Sequence, residues 1–198
     1  MYIFIILFGL TLIYVSAASR LEVYIRNLCF QGLLLFCVVL WESKEMALPD
    51  FIFLSVETLL FKTFIIPWFL TAMVRRNNIL REVEPSISQF YSVVISSGIL
   101  GFGLLLSYLL MKNFHGIQPL YFGISISAII GGLFIIITRR KIITHVIGYI
   151  IIENGIFLLS LSVAKEMPFI VNMGVLLDIF LEIFLLGLFV SKVKEKFE

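Results

Sequence analysis

Apolar runs of about 18 to 25 residues alternate with short polar clusters along this chain, the length helices need to cross a ~30 Å hydrocarbon core. The first run, 1–18, ends in Val15-Ser16-Ala17-Ala18-Ser19, which imitates a leader cleavage site. It lacks the basic leading region of a leader and is read as a spanning helix. A second run follows Ser19-Arg20-Leu21-Glu22 and ends near Trp41. In it Arg26 lies close enough to the helix start to extend its head group to the interface, and the deeper Gln31 is expected to bond another helix. The cluster from Glu42 to Asp50, with Pro49, precedes a third run at 51–74. Arg75, Arg76, Arg81, Glu82, Glu84 and Pro85 then form the longest polar link. Runs at 88–110, 120–138, 142–164 and 168–190 complete the series. The pattern predicts an all-α, polytopic integral membrane protein of seven transmembrane helices. Ser97-Gly98-Ile99-Leu100-Gly101 in the fourth gives a small-xxx-small spacing. Gly123, Ser127 and Gly131 in the fifth give a smooth stripe for close helix contact.

Composition strengthens this reading. The chain is 61% apolar and 14% charged, against about 45–50% and about 25% in soluble domains. The alternating ten-residue segments of a β-barrel are absent. The net charge of +2 matters less than where the basic residues fall. With seven crossings, Arg20, Arg26, Arg75, Arg76, Arg81, Arg139, Arg140, Lys141, Lys192, Lys194 and Lys196 share one side, and only Lys44, Lys112 and Lys165 take the other. Cytoplasmic links are the basic ones, so the amino terminus is expected outside and the carboxyl terminus in the cytoplasm, in a cell inner membrane. The partner expected from this pattern is the lipid bilayer, not nucleic acid. Cys29 and Cys37, eight residues apart on one helix, are about 12 Å apart. They cannot pair with each other, lack metal-ligand spacing, and read as small buried hydrophobes.

Candidate chemistry rests on the charges inside the runs. Glu153 stands in Ile147-Gly148-Tyr149-Ile150-Ile151-Ile152-Glu153-Asn154-Gly155-Ile156-Phe157, where nothing local can neutralise it. An ionised carboxylate at the bilayer centre costs at least about 2.5–3.5 kcal/mol, so such a residue is kept with a partner or a use. Lys62, Glu153 and Asp178 each lie about ten residues into their helices, near the midplane at 1.5 Å per residue. Glu57 falls toward the outside, Glu182 and His145 toward the cytoplasm. These six can form a proton relay; equally, Lys62 can form a static ion pair with Glu57, Glu153 or Asp178 that locks helices together. Asp178 and Glu182, one turn apart, resist ionising together. His145 also suits a plain interfacial role. Pro67, five residues after Lys62, is expected to kink the third helix and free a carbonyl near the lysine. With no phosphate loop, nucleophilic triad or redox-centre ligand set, the chain is not expected to be an enzyme by itself.

These residues carry a resemblance. Arg139-Arg140, the run from Ile147-Gly148 to Asn154-Gly155, and Gly174-Val175-Leu176-Leu177-Asp178 resemble the K subunit of respiratory complex I and the C subunit of multisubunit cation/proton antiporters. The whole chain is similar to hydrogenase-4 component E, through the Lys62 to Pro67 stretch leading to Ala72 and Arg75, Gly148-Tyr149 to Glu153-Asn154-Gly155, and Asp178. It departs from the K-type pattern, whose glutamate would fall at Ile150; Glu153 lies nearly one turn further along. The resemblance implies four amino-terminal helices in 1–116 and a three-helix, K-like unit in 117–198. It implies a non-catalytic membrane-arm subunit of a group 4 NiFe hydrogenase, formate hydrogenlyase-like complex, placed between antiporter-like and membrane-anchor subunits. The NiFe centre and iron–sulfur clusters would belong to partner subunits, and this chain would hold no cofactor. A complex I-like or antiporter assembly, or a purely structural membrane spacer, are the alternatives.

Overall fold

A computed structural model describes residues 2–42, 48–76, 86–113 and 118–163. The described residues fold into helices joined by short links: α1 (Tyr2–Ala17), α2 (Leu21–Glu42), α3 (Leu48–Val56), a π segment (Glu57–Ile65), α4 (Ile66–Arg76), α5 (Gln89–Asn113), α6 (Pro119–Thr138) and α7 (Ile142–Val163). Among the described residues five helices, Leu21–Glu42, Phe51–Ala72, Gln89–Leu110, Pro119–Thr138 and Ile142–Ser162, are long and apolar enough to cross a membrane. In lipid no water can serve the backbone, and a helix satisfies its amides and carbonyls internally. The first apolar run forms a helix of only 16 residues, about 24 Å long.

The local stops have local causes. Pro119 opens α6 after an extended Gln118, where its missing N–H is not needed. At the other end Arg139 turns extended, with its N–H still donating to the Ile135 carbonyl at 3.1 Å. Thr144 then donates its hydroxyl to the Lys141 carbonyl at 2.6 Å in the first turn of α7.

The third predicted helix starts at Leu48, with Pro49 tolerated in its first turn, and is not uniform. From Glu57 to Ile65 it widens into π register, and the Ile66 N–H donates to the Phe61 carbonyl five residues back. Pro67 supplies the reason: its ring would strike the carbonyl four residues earlier and it offers no N–H. Instead of a bare kink, the chain absorbs the proline by widening the preceding turns. Thr63 donates its hydroxyl to the Thr58 carbonyl at 2.8 Å, and Thr58 donates to the Leu54 carbonyl at 2.7 Å.

The helices assemble through small residues. A Cβ on Gly132 would lie 2.6 Å from the Gly148 carbonyl oxygen, and one on Gly155 2.9 Å from the Ala128 methyl, so α6 and α7 touch backbone to backbone. Gly103 of α5 seats in the same way against Gly123 and Ser127 of α6. The expected stripes are therefore used in part. Gly131, Gly98 and Gly101 have open space at Cβ, because Gly132 and Gly103 lie on the faces turned to the neighbouring helices. α1 packs on α2, α5 and α6, while α2 also meets the π segment, α4 and α7. Phe8, Tyr24, Tyr121, Ile147 and Phe157 form the centre of the core. α5 lies at the periphery with Phe90, Tyr91, Phe102 and Tyr108 exposed. Cys29 and Cys37 are free and half-buried, less enclosed than expected.

Candidate functional site

The site grows from the π segment. In an α-helix, residues five apart point about 140° away from each other at 3.6 residues per turn. The i→i+5 register brings them onto one face, and so Lys62 and Glu57 meet: Nζ lies 3.4 Å from Oε1, with the two side chains almost completely buried. The Lys62 ammonium also sits 5.0 Å from the centroid of the Phe157 ring of α7, within reach of the negative face of the π system. α2 makes room for this turn with Gly32, where a Cβ would lie 2.8 Å from the Lys62 carbonyl carbon and 2.9 Å from the Thr63 amide nitrogen.

Phe157 stands four residues after Glu153 on α7, so both lie on one face. Glu153 is 1% exposed, as is its neighbour Asn154. Asn154 donates its Nδ2 to Gln31 Oε1 at 3.3 Å, Gln31 donates its Nε2 to Thr11 Oγ1 at 2.7 Å, and Thr11 donates to the Phe8 carbonyl. A neutral polar chain thus joins α7, α2 and α1 beside the charged group. Gln31 bonds another helix as its depth suggested, and in fact bonds two.

The remaining expected site residues fall elsewhere. His145, half-buried at the start of α7, lies with Nε2 2.6 Å from the Arg139 carbonyl oxygen, closing the turn between α6 and α7. Asp178 and Glu182 lie outside the described residues. Arg139, expected in a solvated basic link, is turned inward instead. It is 2% exposed, donates Nη2 to the Ser16 carbonyl at 2.9 Å, and has buried Tyr24 beside it. Its neighbour Arg140 is exposed. At the far end of α2, Glu42 accepts hydrogen bonds from the Tyr121 hydroxyl at 2.9 Å and Gln118 Nε2 at 3.4 Å, which ties α2 to α6. No group of three His, Cys, Asp or Glu side chains is placed to hold a metal ion among the described residues.

Sequence reasoning found Lys62, Glu57 and Glu153 because charges stand out in an apolar run. It missed Gly32, Thr11 and Phe157, which do not. One signal was available: Glu57, Lys62 and Pro67 recur at five-residue intervals, the spacing of the π register.

Apolar helices built around a buried acid–base pair and a chain of uncharged polar side chains define a polytopic helical membrane protein. The chain is similar to "Uncharacterized protein Rv0085" of Mycobacterium tuberculosis, with 23% identity over 185 residues that span 89% of this chain and 81% of that protein. No protein-family model and no solved structure matches it.

Proposed function

We propose that this chain is a non-catalytic membrane-arm subunit of a group 4 NiFe hydrogenase complex of the formate hydrogenlyase type, contributing buried charges to a lateral proton path. In this reading it has seven crossings: α1, the five long helices, and the apolar stretch 168–190. The amino terminus is outside and the carboxyl terminus in the cytoplasm of an inner membrane. Antiporter-like and anchor subunits are its partners, and nickel, iron and electrons stay with them.

The observation that carries the reading is the buried Lys62–Glu57 pair, set on a π turn against the α7 face that bears Glu153. A proton passed from Lys62 to Glu57 leaves both groups neutral, and a proton passed back restores the ions. Such a pair holds or yields a proton with little movement of atoms. π segments are rare and often mark functional sites, and buried ionisable groups in membrane helices mark proton routes. In the sequence Asp178 stands about ten residues into the apolar run 168–190, much as Glu153 stands in the run 142–164.

Replacement of Glu153 by Gln in the assembled complex tests this. Proton translocation per electron transferred should fall while hydrogenase turnover persists; unchanged translocation in a fully assembled complex would overturn the relay. A structural spacer is the second reading, supported by Phe157 and Glu57 holding Lys62 from two sides, and it predicts the unchanged outcome. Absence of a nickel-containing subunit among proteins that copurify in mild detergent would move the assignment to a complex I-like or antiporter assembly.

A further inference from the structure

A groove of about 380 Å³ runs along the outer side of α1 and α2, lined by Leu7, Leu10, Thr11, Tyr14, Arg26, Asn27 and Phe30. Its volume falls in the range of small-molecule sites, about 300–1,000 Å³. The groove is graded along its length. Tyr14 and Arg26 lie near the end of α1 and the start of α2, Arg26 about 7.5 Å into its helix at 1.5 Å per residue. Leu7 and Phe30 lie deeper. Leu10, Tyr14 and Phe30 are about half exposed, so the groove opens sideways, toward lipid. Arg26 is exposed at its mouth, whereas Asn27 is 4% exposed and its Nδ2 donates to no acceptor.

From this geometry we infer that the groove binds one anionic phospholipid. The Arg26 guanidinium takes the phosphate, since a planar fork of donors suits that group better than an ammonium. Acyl carbons lie along Leu7, Leu10 and Phe30. The Asn27 amide, at the level just below the headgroup, finds in the glycerol ester carbonyl the acceptor it otherwise lacks, and a buried amide without a partner is costly. Three further basic residues at this end, Arg20, Arg75 and Arg140, are exposed and match an anionic leaflet. The floor of the groove includes Thr11, which accepts the Gln31 hydrogen bond, so the lipid would abut the neutral chain that reaches Asn154.

Full-length protein in nanodiscs of phosphatidylcholine with phosphatidylglycerol, released into native mass spectrometry, tests this. Wild type should keep one phosphatidylglycerol in preference to phosphatidylcholine. Arg26→Ala should retain it about five-fold less, the effect of one charge near an anionic surface. Asn27→Leu should also retain less, and Arg20→Ala, which removes an exposed charge outside the groove, should match wild type. Equal loss from Arg20→Ala, or full retention by both groove variants, overturns the inference. Independently of any variant, phosphatidylglycerol with a photoreactive acyl chain should crosslink wild type at Leu10 and Phe30. Crosslinks confined to other helices, or a dimer joined through Leu10 that carries no lipid, also overturn it.

Discussion

Gln31 and Asn154 illustrate how much a neutral side chain contributes when lipid surrounds the protein. Each is at most 1% exposed, and Asn154 donates to Gln31 across α2 and α7. Hydrogen bonds between membrane helices are worth on average about 0.6 and up to about 1.7 kcal/mol. Gln31 makes two of them, to Asn154 and to Thr11. Gln31→Leu should therefore destabilise by about 1–2 kcal/mol, measured as the unfolding midpoint in mixed detergent micelles. Asn154→Leu should cost less, and the double variant less than the sum, because the bond between them is lost only once. Strict additivity would mean that the bond at 3.3 Å contributes nothing. The sequence announced Gln31 because an amide contrasts with Leu and Phe. Its partners were not legible: Asn154 lies 123 positions away and Thr11 20 positions away, and no periodicity links residues on different helices.

The π segment is where sequence reasoning was half right. Pro67 marked a disturbance in the third helix, but a proline permits a kink, a bulge or a wide turn, and only contact with α2 decides among them. Gly32 supplies that contact. A methyl there meets the Lys62 and Thr63 backbone closer than 3.0 Å, so Gly32→Ala should cost about 1–3 kcal/mol through overpacking and part Lys62 from Glu57. Gly101 is the counterexample. It faces open space on α5, and Gly101→Ala should stabilise the isolated protein by up to about 1 kcal/mol, the helix preference of alanine over glycine. Unfolding midpoints of the two variants should move in opposite directions; a shift of the same sign would mean that backbone contact does not set the role of these glycines. Both residues look alike in the sequence, glycines inside apolar runs. Their difference arises only when helices meet.

At the scale of the whole molecule, hydropathy and charge made the helical, membrane-spanning architecture legible, since run length fixes what can cross a bilayer and apolar background exposes every charge. The pairing of helices was not legible, because several faces carry equally apolar surface and the deciding contacts are small residues. The topology proposed from the basic residues is directly testable. A fluorescent protein that folds only in the cytoplasm should light up when fused after Lys141 or at the carboxyl terminus, and stay dark after Asn113. Fluorescence at both ends of α5 and α6 would break the alternation of crossings and the orientation with it.

The Lys62–Glu57 pair also bears on what a membrane potential would do to this region. A transmembrane potential does work of about 2.3 kcal/mol per elementary charge per 100 mV, and in the ionic form the pair sums to zero. Carrying the two groups together through the field then costs almost nothing, and the hydroxyl and amides of Thr11, Gln31 and Asn154 carry no net charge to be pulled. Any shift of the π turn would then meet no electrical resistance from this pair. Capture or loss of one proton by the pair ends that indifference: the turn then bears a whole charge, and the membrane potential acts on its position.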